Sequence, residues 1–381
     1  MNPPVTVNAE LTLEPSELVA GGDALAKVDG FPVFVPDIYP GDVARVRIVE
    51  VKKGFARGEL VRLERPSALR RAVPCPIAEE CGGCDWTSLR LDAQLQAKER
   101  ILRESLRRIG KLATIPEITL HPSPLNYRLR SRLHADGGHI GFYATGSHRI
   151  VPLVPECEVV GPRTAAVVGG GSEGPRADSG FRDDSREIWE LDGQLFEGQR
   201  EIAIDVGRYH FRLSTDAFFQ VNRHLLATML RLVRGHAERT VDKRHAVDLY
   251  SGVGFFTAPL AEVFERVSAV EGSAASHHWA QVNAAGNVEA LHAPIEAWIH
   301  DLPRAAFVFL DPPRSGAKPD VIDVIAKRAL EVICFLACDP VIFARDANRL
   351  TASGWRLAAL DLLDLFPNTH HVETLARFER A

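Results

Sequence analysis

Apolar residues in the C-terminal half of the chain come in short continuous runs, the pattern of strands covered on both faces. The first run opens Ala246 to Pro259, AVDLYSGVGFFTAP, which reads as a buried strand, a glycine turn and the start of a helix. A second strand follows at Arg266 to Glu271, and a third at Ala306 to Leu310 runs into Asp311-Pro312-Pro313-Arg314. A helix over Val321 to Ala329, a buried strand over Val332 to Ala337 and a last strand headed by Glu373 complete an alternating α/β order. Residues 10 to 64 behave differently. Phe31, Val33 and Val35 alternate with period two, as does Val43 to Val51, and Gly21-Gly22, Gly30, Gly41 and Gly54 punctuate them, which predicts a small β-barrel.

Between these regions, Leu89 to Arg108 has helical spacing, with Leu91, Leu95, Ile101 or Leu102, Leu106 and Ile109 on one side. Tyr127 to about Arg212 is β-rich, and the stretch GGGSEGPRADSGFRDDSRE inside it is expected to be a mobile loop. A helix over Arg223 to Val233 then leads into the C-terminal domain.

The 381 residues leave room for two or three domains, and a net charge of −5 says nothing of nucleic acid. Its distribution does: Val43 to Ala72 holds nine Arg and Lys residues against three Glu, a basic strip able to follow a phosphate backbone, with Phe55 beside Lys52 and Lys53 as a stacking ring. Arg128, Arg130 and Arg132 alternate on one strand and are candidates for the same task, a surface ion-pair ladder being the alternative. The start, MNPPVTVNAELTLEP, lacks a basic segment and an apolar core, and no apolar run approaches membrane-spanning length. The expectation is a cytoplasmic, monomeric protein without a membrane partner. In a reducing compartment six cysteines point to metal binding or catalysis rather than disulfides. Cys75, Cys81 and Cys84 lie close together in sequence and Cys157 far downstream; four thiolates suit zinc or a [4Fe-4S] cluster, and the uneven spacing leans to the cluster.

The chemistry centres on the glycine turn. Gly252 and Gly254 permit close backbone approach to a ligand, and Glu271, 23 residues after Asp248, stands where an acid binds the ribose hydroxyls of a nucleoside. The third glycine that a pyrophosphate requires is missing, so the order fits an S-adenosylmethionine methyltransferase better than a dehydrogenase. Arg314 stands where an amino-group methyltransferase needs an aromatic ring. Cys338, at the C-terminal end of a buried strand, and Glu373 place a thiol and a carboxylate on one edge, the two groups that methylation of uracil C5 requires. Cys334, inside the same strand, reads as core.

Over nearly its whole length the sequence resembles the RNA uracil-5-methyltransferase family. The resemblance rests on an N-terminal TRAM barrel, the CxxxxxCGGC segment, DLYSGVGFFTAPLA, DPPRSG, a cysteine followed by Asp-Pro, and HHVETL. It implies a multidomain fold: a TRAM RNA-binding β-barrel (residues 1–65, OB-like), a central α+β iron-sulfur domain (66–90 and 115–212) and a Rossmann-like α/β methyltransferase domain (91–114 and 213–381). It further implies Cys338 as nucleophile, Glu373 as base, and Gln220, Tyr250, Glu271 and Asp311 as contacts to S-adenosylmethionine. Cys75, Cys81, Cys84 and Cys157 match the family's [4Fe-4S] ligands. The implied partner is RNA, with 23S rRNA favoured because barrel and cluster domain accompany that branch, and tRNA the alternative; an RNA-binding protein with an inactive methyltransferase domain is the other reading. Asp339, Ala337 and Phe255 depart from the family's usual Asn, Ser and Asn.

Overall fold

A computed structural model describes residues 3–136, 138–170 and 184–380. Its largest element is an eight-stranded sheet, whose strands we number in chain order: β1 (Ile118–His121), β2 (His245–Leu249), β3 (Arg266–Glu271), β4 (Val288–His292), β5 (Ala305–Leu310), β6 (Ala329–Ala337), β7 (Trp355–Leu363) and β8 (Glu373–Arg380). The spatial order is β4-β3-β2-β5-β6-β8-β7-β1. The pairs from β4 to β6 are parallel, and β8 runs antiparallel between β6 and β7. Helices α1 (Leu91–Arg108), α2 (Leu226–Glu238), α3 (Ala274–Val282), α4 (Pro319–Arg328) and α5 (Pro340–Ala352) accompany it. Continuous burial along β2, β5 and β6 explains their unbroken apolar runs, since a parallel sheet covered on both faces gives no polar side to alternate with. Because the order reverses beside β2, the C-terminal ends of β2, β3 and β5 open onto a crevice suited to a ligand.

The division of the sequence at residue 114 misplaces β1. This strand pairs in parallel with β7, Leu360 opposite Ile118, and is therefore an edge of the large sheet rather than part of the central domain. The central five-stranded sheet is built from 130–136, 139–143, 150–152, 184–191 and 194–197, and a separate hairpin covers 201–206 and 209–214. Of the expected mobile loop, residues 171–183 lie outside the described residues, and its last part is strand: Asp184–Leu191 pairs with 130–136.

The N-terminal six-stranded sheet covers Glu10 to Arg65. Register shifts between its two longest strands bend it, and Val33, Val35, Ala44, Val46, Ile48 and Ala56 meet in a fully buried core. The cationic strip on its outer face is largely neutralised. Arg45 and Arg47 pair with Glu10 at 3.4 and 3.2 Å, Arg57 with Asp23 at 2.9 Å, Arg65 with Glu14 at 3.3 Å and Lys52 with Glu50 at 2.5 Å. Glu10, Glu14 and Asp23 lie outside Val43 to Ala72, so folding offsets part of the basic excess that sequence proximity suggests.

Helix α1 also differs from its expected face. Ile109 is 41% exposed and caps the helix, whereas the buried side includes Gln94 and Lys98, one turn apart and both fully buried. Both reach the loop between β7 and β8. Lys98 Nζ lies 2.6 Å from Asp364 Oδ1 and donates to the Phe366 carbonyl at 3.0 Å, and Gln94 bonds Asn368.

Candidate active site

The crevice at the sheet's C-terminal edge is a cavity of about 680 Å³ lined by Gln220, Tyr250, Gly252, Glu271, Asp311, Cys338 and Glu373, among others. Seven of the eight residues singled out for catalysis and cofactor binding thus share one space. The eighth, Gly254, does not line it; at φ +88° its N–H donates to Ser251 O at 2.9 Å, so it closes the turn from behind.

Within the turn, Tyr250 has φ +62° and Gly252 φ +58°. A left-handed tyrosine is uncommon, and such backbone concentrates at functional sites. Here it lets the Gly252 N–H donate to Glu271 Oε2 at 2.8 Å, while Ser273 N–H donates to Oε1 at 2.6 Å. The Glu271 carboxylate is thereby fixed at the end of β3 before any ligand arrives. On β5's end, Gln220 Nε2 donates to Asp311 Oδ2 at 3.1 Å. Behind the turn, Thr257 Oγ1 donates to Asp248 Oδ2 at 2.5 Å, and Asp248 Oδ1 has no hydrogen-bond partner among the described residues.

The electrostatics are those of an anionic pocket. Burial and then the Asp248 charge push Asp311 up to about 8, against the Gln220 hydrogen bond; burial pushes Asp248 up to about 7, opposed by Thr257 and reinforced by Glu271. Burial, then Asp311, raises Glu373 well above the usual carboxylate range. Burial, then Glu373 and Asp311, pushes the Cys338 thiol up to about 12, with Arg314 acting the other way. Such a cluster fits a cationic ligand, whose charge would favour ionised carboxylates. A sulfonium attached to a nucleoside has that charge.

Cys338 and Glu373 come from neighbouring strands. Ala337 of β6 stands opposite Thr374 of β8, so the residues just beyond and just before that pair leave the ladder side by side. Sequence reading did not single out Phe366 and His371, which line the cavity from the β7–β8 loop. Burial, then the neighbouring His370 and Arg314, lowers His371 to about 4 and keeps its ring neutral. Arg128 lines the cavity as well, while Arg130 pairs with Glu187 at 3.1 Å and Arg132 approaches the same carboxylate at 3.8 Å; the alternating arginines are thus divided between site and ion-pair ladder.

Cys75, Cys81, Cys84 and Cys157 line a second, small cavity of about 20 Å³, together with Asn368. Burial raises the Cys75, Cys81 and Cys84 thiols, and nearby cysteines add to the effect. Among the described residues, no three His, Cys, Asp or Glu side chains are drawn around one point closely enough to hold a single metal ion. Cys334 is fully buried in β6, as expected of a core residue.

Comparison with known proteins agrees with this geometry. Residues 195–293 and 301–380 match the tRNA (uracil-5-)-methyltransferase family model, and residues 4–61 match the TRAM domain. An uncharacterized RNA methyltransferase of Corynebacterium glutamicum is 33% identical, covering 94% of each chain, and one of Gloeobacter violaceus is 30% identical over 97% of this chain and 96% of that protein. The crystal structure of Pyrococcus abyssi tRNA (uracil-54, C5)-methyltransferase in complex with S-adenosyl-L-homocysteine shares the fold, with a TM-score of 0.73, 22% identity and coverage of 97% of this chain and 100% of that one. With a TRAM domain ahead of a methyltransferase sheet and relatives matched from end to end, the chain belongs to the RNA uracil-5-methyltransferase family and is an RNA methyltransferase.

Proposed function

We propose that the protein methylates C5 of a uridine in structured RNA through a covalent adduct on Cys338. The observation that carries this reading is the Ala337–Thr374 pairing, which sets a thiol and a buried carboxyl on the rim of one cavity. Uracil C5 is a poor nucleophile. Cys338 and Glu373 each first give up a proton to solvent; the Cys338 thiolate then adds to C6, giving C5 the character of an enolate carbon, C5 takes the methyl group, the Glu373 carboxylate removes the C5 proton, and the C6–S bond breaks to release the thiolate. S-adenosylmethionine supplies the electrophilic methyl. Glu271, Gln220 and Asp311 would hold it, with Tyr250 and Gly252 shaping the turn. The target base must leave its stack to reach Cys338.

Of the RNA classes, 23S rRNA is the substrate we favour, on the resemblance of the combined barrel and cysteine segment; tRNA is the second reading, favoured by the substrate named for the Pyrococcus abyssi protein. The four cysteines facing one cavity support a [4Fe-4S] cluster held by Cys75, Cys81, Cys84 and Cys157, in a structural role, since methyl transfer needs no electron.

The test is to map 5-methyluridine in rRNA and tRNA from cells with and without the gene. Loss of one rRNA 5-methyluridine is expected; loss confined to tRNA favours the second reading. A methyl group found on an exocyclic nitrogen overturns the mechanism.

A further inference from the structure

The loop between β7 and β8 faces both cavities. Phe366 and His371 line the catalytic one, and Asn368 lines the one shared by the four cysteines. Asn368 is fully buried at φ +67°, a conformation that asparagine tolerates better than most residues. Its N–H donates to Gln94 Oε1 at 2.8 Å, and its carbonyl accepts from the N–H groups of Asp85 and Trp86 at 3.1 and 3.0 Å. Its side-chain oxygen accepts from Gln94 Nε2 and Arg71 Nη2, both at 3.1 Å, and its side-chain nitrogen donates to Glu158 Oε2 at 3.1 Å.

All four polar groups of Asn368 are used, and they tie it to four segments. Arg71 precedes Cys75, Asp85 and Trp86 follow Cys84, Glu158 follows Cys157, and Gln94 lies on α1. Beyond it little slack is left before Glu373: Thr369 Oγ1 donates back to Phe366 O at 2.8 Å, and His370 N–H donates to Asp85 Oδ1 at 3.0 Å. A buried side chain with both its oxygen and its nitrogen engaged is held in one place, so the backbone that leads into Glu373 is tied to the turn that carries the cysteines.

We propose that Asn368 is a positioning residue for Glu373, fixing the loop that carries the base against the cysteine-bearing segments at Cys84 and Cys157. The inference rests on the reading of Glu373 as the base that removes the C5 proton. A base displaced by about 1 Å can cost about a hundredfold in rate, and here the loss falls on the step after methyl transfer. A misplaced Glu373 therefore traps the protein on methylated RNA, whereas general loss of structure prevents the adduct from forming.

The test uses the full chain with its RNA and cofactor. Asn368→Asp turns the donor facing Glu158 into a second carboxylate, and adding Glu158→Gln restores one hydrogen bond with its direction reversed. Asn368→Asp is expected to lower turnover by about a hundredfold, leave S-adenosylmethionine affinity unchanged and accumulate a slow RNA–protein band on a denaturing gel, as Glu373→Gln, which lacks the base, is expected to do. The double variant should lose that band and regain most of the turnover. If Glu373→Gln shows the band while Asn368→Asp turns over normally, or loses cofactor binding without a band, positioning by Asn368 is wrong and the function stands. If Glu373→Gln shows no band, the role of Glu373 falls, and this inference with it.

Discussion

Cys338 and Glu373 flank a single antiparallel pair, Ala337 opposite Thr374, so the register of β6 and β8 brings a thiol and a carboxyl side by side. At rest both hold their protons, because the site is buried and already carries Asp311. A thiol held up to about 12 is a slow nucleophile at neutral pH. Site-specific mass spectrometry of iodoacetamide labelling should show Cys338 alkylation rising with pH by about tenfold per unit well beyond the ordinary cysteine range. In Glu373→Gln the charge that opposes the thiolate is gone, and the profile should move to lower pH. A midpoint near 8.5, the ordinary free-cysteine value of about that size, would show that the free site does not restrain the thiol.

Cofactor affinity should depend on pH through Asp311. In the free protein this carboxyl stays protonated below about 8, and a bound cation favours its ionised form. The proton is therefore released on binding when the pH is below that value, and affinity climbs as the pH rises toward it. Above about 8 the group is already ionised and the curve should flatten. Calorimetry in buffers of different ionisation heat measures the released proton directly; affinity that falls between pH 6 and about 8 contradicts the assignment.

How far the sequence discloses this molecule follows from the range of the forces involved. Strand β3 spans Arg266 to Glu271 as its pattern implies, and Glu373 heads β8, because burial on both faces writes itself into consecutive residues. Asp311, Cys338 and Glu271 are legible for a related reason: each follows such a run and so must emerge at the strand ends. Lys98 is not legible. Its partner Asp364 is 266 residues away, and nothing local separates a buried lysine from one on a solvated helix face. The barrel's ion pairs escape notice for the same cause, since Arg45 and Glu10 are 35 residues apart.

Those ion pairs alter what the barrel should do in RNA binding. Arg45 and Arg47 share Glu10, and such solvent-screened pairs contribute little to stability. A cation already paired releases less counterion on meeting a phosphate. Alanine at both positions should therefore lower the slope of log K against log salt by less than the roughly 0.7 to 0.9 expected for each free phosphate contact. Filter binding over a salt series decides the matter, and a full unit lost per residue would mean that the pairs open on the RNA.

Buried Lys98 offers a stability test. Burial lowers its pKa, and Asp364 at 2.6 Å holds the charge in place. Lys98→Met leaves Asp364 buried and uncompensated, a change that costs about 3–5 kcal/mol in such pairs, whereas Lys98→Met with Asp364→Leu should recover most of it. Urea denaturation followed by fluorescence measures both. Equal losses in the single and double variants would show that packing of α1, not the ion pair, is what the lysine contributes.

The cysteine cavity yields the last prediction. Burial, reinforced by the neighbouring cysteines, raises the Cys75, Cys81 and Cys84 thiols, and a cationic iron centre in the cavity they share with Cys157 would reverse that by stabilising thiolates. Protein purified without oxygen should be brown and hold about four irons per chain. Cys157→Ser removes the one ligand that comes from a distant segment, so its iron should be held at lower occupancy and lost faster to a chelator, while S-adenosylmethionine still binds in the separate cavity at Glu271 and Asp311. Because Glu158 next to Cys157 bonds Asn368, the same variant should loosen the β7–β8 loop and raise amide exchange over residues 364–372. Stoichiometric zinc, or a colourless protein with full methyltransferase activity, would remove the cluster from the account.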